Sequence, residues 1–239
     1  MIRIYGAQLS QLPTRDVLMH MLEPSVYQAW LAAHGSLKDD RAARLSLGGL
    51  VLLSLGGGKG ELARAETGRP YLRDRIFDFS ISHTERAVVC AVSAPDADEA
   101  ATPLHAPIGA SLEADRAMPL ADWRVGIDIE DGARLDSARL DAIAARWFCE
   151  RELAFFREAP TRDRFLTIWT RKEALGKRIG IGLKGLRALD TLSAEDRYGV
   201  RFFEYGTDGT HITLCFSTVQ APPSRVHWIS NFDDPKTFF

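Results

Sequence analysis

The chain has 239 residues, 46% hydrophobic and 26% charged, which allows one large domain or two ordinary ones and excludes a disordered chain. A net charge of -2 supplies no overall basic field for nucleic acid or anionic lipid. Apolar runs stay well short of the roughly 18 residues a membrane span needs, and MIRIYGAQLS lacks a signal peptide's basic start and apolar run, so a cytoplasmic protein is expected. Cys90, Cys149 and Cys215 are far apart and form no CxxC pair, which argues against a disulfide framework or zinc site.

In chain order, the first helical pattern runs from about Lys38 to Leu55, with a basic start at Lys38, Arg41 and Arg44. Gly56 to Glu61, GGGKGE, superficially resembles a phosphate loop. Gly60 stands where such a loop needs Ser or Thr, so a turn is expected. A GRPY turn, Gly68 to Tyr71, precedes two strand-like runs, FDFSISH and AVVCAVS. Ala94 to Asp122 is rich in Ala, Pro and Asp and reads as a linker, dividing the chain into halves at 1–93 and 123–239.

Beyond the linker, WRVGIDIE is a strand candidate. Leu140, Ile143, Ala144, Trp147 and Phe148 recur at helical spacing. A second helix fits Arg162 to Arg178 and stops where Gly180 and Gly182 break the pattern. RFFEY and HITLCFSTV, separated by GTDGT, read as a β-hairpin. The predicted class is α+β.

Three groups of residues carry possible chemistry. In VGIDIE, strand alternation puts Ile127 and Ile129 on one face and Asp128 and Glu130 on the other. Two such carboxylates suit Mg²⁺, which keeps waters and takes substrate phosphates, although a solvated acidic edge has the same pattern. On the helix, Trp169, Glu173 and Lys177 share one face at i, i+4, i+8, beside Lys172. Glu173 can add a third carboxylate and Lys177 can neutralise phosphate. The same pair also fits a plain surface ion pair worth about 0.3–0.5 kcal/mol. The third group is Ser82 and His83 with the arginines Arg41, Arg44 and Arg69, whose guanidinium forks match phosphate oxygens.

Taken in order, GRPY, FSISHT, VGIDIE, FCERE and WTRKEALGKRIGIGL resemble the Sfp-type 4'-phosphopantetheinyl transferases over roughly residues 38 to 185. The resemblance implies two similar α/β half-domains in a pseudo-dimeric arrangement, with coenzyme A in the cleft between them. It implies Mg²⁺, with Mn²⁺ as a substitute, on Asp128, Glu130 and Glu173. Asp128, Glu173 and Lys177 would be catalytic. Coenzyme A would lie on Arg41, Arg44, Ser46, Arg69, Ser82, His83, Lys172 and Lys177. Ser80 stands where the family usually has Asn, and Glu85 follows Thr84. The implied activity is that of a monomeric holo-[acyl-carrier-protein] synthase, moving 4'-phosphopantetheine to a serine of an apo acyl or peptidyl carrier protein. A non-catalytic coenzyme A-binding relative and another Mg²⁺-dependent nucleotide-cleaving enzyme are the alternatives.

Overall fold

The structure is a computed structural model that describes residues 1–35, 38–58, 60–73, 78–93, 124–132, 139–207 and 209–232. The expected linker, 94–122, lies outside the described residues. Two sheets organise the rest. The first has the order β4-β5-β1-β9, from β1 (Ile2–Gln8), β4 (Asp78–His83), β5 (Ala87–Ser93) and β9 (His227–Trp228). The second is antiparallel, ordered β6-β8-β7, from β6 (Gly126–Asp131), β7 (Val200–Thr207) and β8 (Thr210–Ser217). A separate two-stranded hairpin joins β2 (Leu62–Arg64) to β3 (Pro70–Leu72), so GRPY is both turn and strand.

The uniformly apolar β5 is explained by burial of both its faces. Val88, Cys90 and Val92 pack with Leu45, Leu52 and Trp30 from helices on the outer side. These helices are α1 (Arg15–Met21), α2 (Pro24–His34) and α3 (Asp40–Leu55). Ala87, Val89 and Ala91 face the opposite way, into a core shared with Ile127, Ile129, Ile212 and Leu214 of the second sheet. Two sheets therefore pack face to face with helices outside them.

The helices of the second half are α4 (Leu140–Trp147), α5 (Glu150–Glu158), α6 (Arg162–Ile179) and the short α7 (Gly182–Gly185) and α8 (Ala194–Tyr198). Thr161 caps the start of α6 by accepting the Arg164 amide, and Gly180 ends it at φ 84°, a left-handed position that glycine adopts without strain. Ala174 and Leu175 pack on Cys215 of β8, covering the outer face of the second sheet. A side cluster of Phe148, Phe156 and Phe165 ties α4 and α5 to α6.

The halves are not separate along the chain. β9 pairs parallel to β1, Tyr5 opposite His227, and Ile229 and Phe232 join the core of the first half. Residues 227–232 thus pack with the first sheet, across the boundary expected from the linker.

β6 is pressed against α6 by the absence of a side chain at Gly126. A Cβ there would lie 1.9 Å from the Ala174 carbonyl oxygen and 2.7 Å from the Arg178 amide nitrogen. Both are backbone atoms, so no rotamer change relieves the clash. Gly126→Ala is expected to lower the unfolding free energy by about 1–3 kcal/mol or more, read by urea denaturation.

Candidate active site

The site forms where β4 and β6, edge strands of different sheets, run side by side. No ladder joins them in the sheet order, so the β6 amides need other acceptors. The alternate polar residues of β4 supply them. Asp78 Oδ2 accepts the Val125 amide at 2.8 Å and Ser80 Oγ accepts the Ile127 amide at 3.0 Å. Ser82 continues the row and donates from Oγ to Asp128 Oδ1 at 2.8 Å.

Asp128 is 3% exposed and points to the α6 side of β6. Lys177 donates from Nζ to its Oδ1 at 2.6 Å and to Ser82 Oγ at 2.7 Å. Asp128 Oδ2 is buried with no hydrogen-bond partner. A buried carboxylate oxygen left bare is costly unless a cation or another donor reaches it.

Glu130 lies two residues along the same face, its Oε1 accepting Trp169 Nε1–H of α6 at 2.9 Å. Burial, followed by the neighbouring Asp128 charge, pushes the Glu130 pKa up to about 7. Glu173 is raised to about 6 by burial and then by Asp128, while Lys177 pulls the other way. The three carboxylates therefore share one electrostatic field. Asp128 and Glu130 come from β6 and Glu173 from α6.

Their oxygens are less tightly gathered than the ligand atoms of Cys149, Glu152 and Asp190. That trio, among the described residues, has ligand atoms all within 4.8 Å of one another. Protein donors already occupy it: Glu152 accepts from Lys172, Thr191 and the Cys149 amide, and Asp190 from Ser193 and the Leu192 amide. The donor set around Asp128 is the one with an unmet oxygen. Hard carboxylate oxygens at a bare buried acceptor fit a divalent cation of the Mg²⁺ type.

Two cavities flank these carboxylates. One, of about 250 Å³, is walled by Pro70, Phe79, Ile81, Leu183 and Leu186, with Glu173 and Lys177 at its side. The other, of about 410 Å³, is lined by Asp39, Arg41, Leu45, His83, Thr84, Glu85, Glu130 and Asp131. Desolvation by the surrounding protein, partly offset by a hydrogen bond at the Thr84 backbone, holds the His83 pKa below the ordinary imidazole value.

Asp128, Glu130, Glu173, Lys177 and Ser82 thus form one neighbourhood, and Arg41 and His83 line the second cavity with Glu130. Four other expected coenzyme A contacts do not reach it as free groups. Lys172 is fully buried, donating to Glu152 Oε2 and the Leu189 carbonyl, both at 2.5 Å. It precedes Glu173 by one residue, about 100° around the helix, and so faces away. Arg44 donates to the carbonyls of Leu9, Leu12 and Pro13 and holds the loop before α1. Ser46 accepts Trp30 Nε1–H at 2.8 Å beneath α2. Arg69 borders the first cavity, but its guanidinium is engaged with Asp78 at 2.7 Å and with the Val125 and Arg178 carbonyls.

Sequence reasoning missed Asp78, Glu152 and the role of Trp169. The alternation of Asp78, Ser80 and Ser82 with Phe79 and Ile81 is the signal that marks a polar strand face.

Two predictions follow from these environments. Lys172→Met leaves Glu152 buried without its cation and is expected to cost about 3–5 kcal/mol of stability in denaturant unfolding. The second concerns pH. Glu130 and Glu173 hold a proton more tightly folded than unfolded, so their contribution is complete below the ordinary value of 4.5 and is lost as pH rises through about 6 to 7. In chelator, wild-type protein should lose thermal stability relative to Glu130→Gln between about pH 5 and pH 8, in paired melting curves.

Among the described residues, no helix is long and apolar enough to cross a membrane. A search of curated proteins finds no match to the chain. Residues 124–228, from just before β6 to the end of β9, match the model of the 4'-phosphopantetheinyl transferase superfamily. The chain therefore carries a domain of the 4'-phosphopantetheinyl transferase superfamily.

Proposed function

We propose that the protein transfers the 4'-phosphopantetheine arm of coenzyme A to a serine of an apo acyl or peptidyl carrier protein. The observation carrying this reading is the bare buried Oδ2 of Asp128, beside two carboxylates with raised pKa and the Lys177 ammonium. The layering of helix, sheet, sheet and helix about one shared core is compatible with a fold of two α/β halves.

In this reading Asp128, Glu130 and Glu173 would hold a divalent metal, which when bound neutralises phosphate charge and polarises the phosphorus. The serine hydroxyl forms a bond to the β-phosphorus as the bond to the bridging oxygen breaks, and 3',5'-ADP leaves with that oxygen. Catalysis of such a transfer is mostly positioning and charge neutralisation. Lys177, 30% exposed at the cavity wall, exchanges its contact with Asp128 for the charge growing on the leaving phosphate. Glu173, at the cavity wall beside Lys177, accepts the serine proton. Trp169 orients Glu130 through its indole N–H. The apolar cavity suits the pantetheine arm, and Arg41 and His83 are the donors that the second cavity offers to nucleotide phosphates.

Transfer of label from coenzyme A to an apo carrier protein tests the reading. Asp128→Ala and Lys177→Ala should each slow transfer roughly hundredfold or more. Release of 3',5'-ADP should require the acceptor serine. Release at full rate without carrier protein would instead make the protein a nucleotide-cleaving enzyme.

A further inference from the structure

The apolar cavity has an outer lip with a chemistry of its own. α7 runs directly into a 3-10 turn at Leu186–Ala188, and Ile181, Gly185 and Leu186 all have right-handed helical backbone. This short stretch is anchored from beneath. Leu186, 2% exposed, sits against Gly176 of α6, where a Cβ would lie 2.4 Å from its Cδ2. Leu189 is buried in the same core. Gly176 stands between Glu173 and Lys177 on α6, so the lip is held in register with both.

The other side of the stretch meets water. Leu183 is 58% exposed and, among the described residues, is the one exposed large apolar side chain that also walls this cavity. Its surface therefore continues the apolar wall of Pro70, Phe79 and Ile81 outward. Lys184 is next in the chain and Arg187 follows one helical turn after Leu183, both exposed. Among the described residues neither has an ion-pair partner. Glu173 is the single carboxylate that lines the cavity they border.

We propose that Leu183, Lys184 and Arg187 form the docking lip for the carrier protein, receiving an acidic, partly apolar face that presents the acceptor serine to Glu173. The inference rests on the transferase reading given above and adds where the protein substrate sits. Charge selects the occupant: cations with no carboxylate of their own beside them are met by acids of a partner, which steer its approach and set its register. The leucine between them supplies the apolar contact that such an interface needs at its centre. Neither cation lines the cavity, so coenzyme A binding does not draw on them.

Steady-state transfer from coenzyme A to an apo acyl carrier protein of net negative charge, each substrate varied in turn, tests this. Lys184→Glu combined with Arg187→Glu should raise the carrier KM about tenfold, with kcat and the coenzyme A KM within about twofold of wild type. The wild-type carrier KM should climb with added salt, and that climb should flatten in Lys184→Gln combined with Arg187→Gln. Lys184→Arg combined with Arg187→Lys keeps both charges and should behave as wild type. An unchanged carrier KM in the charge-reversed variant, with wild type active, overturns the docking lip and leaves the transferase reading standing. An equal rise in the coenzyme A KM also overturns it, because the cations would then serve the small substrate. A wild type that sediments as a dimer, with a monomeric charge-reversed variant, gives the face to a second copy and overturns it too. Absence of transfer by wild type overturns both this proposal and the transferase reading.

Discussion

Two sheets meet here along edge strands that do not pair, and their exposed amides have to be satisfied by side chains. Asp78 and Ser80 provide the acceptors for β6, and Ser82 carries the same row to Asp128. This seam brings a carboxylate into the wall of the molecule. Had β4 and β6 joined in a ladder, backbone oxygens would have met those amides, and neither strand would need polar residues at alternate buried positions.

The seam also governs the electrostatics. Burial, and after it the charge of the buried Asp128, raises the proton affinity of both Glu130 and Glu173, while Lys177 offsets part of the crowding. The strand carrying the first two acids and the helix carrying the third are held together by Gly126, where the backbones nearly touch. Charge, packing and chain geometry therefore act on one spot.

Much of this was legible beforehand because it depends on period. The stripe from Leu140 to Phe148, the helix ending at Gly180 and the C-terminal hairpin follow their periodicities. Strand alternation likewise separated Ile127 and Ile129 from Asp128 and Glu130. What depends on distant partners was not legible. A lysine beside a glutamate looks available until Glu152, twenty positions earlier, is found holding it. Arg44 looks like a phosphate ligand until the loop carbonyls of Leu9, Leu12 and Pro13 occupy its guanidinium. The return of β9 to β1 involves two strand residues, too few to leave a pattern.

That short return strand means the stretch recognisable by sequence and the unit able to fold differ. Residues 124–228 end in His227 and Trp228, whose hydrogen-bonded neighbour is β1, far outside that stretch. Cut out alone, the segment would expose Val125, Ile127 and Ile129 to water and leave its last strand with no neighbour. The family match spans residues 124–228, whereas foldability is a property of both halves together.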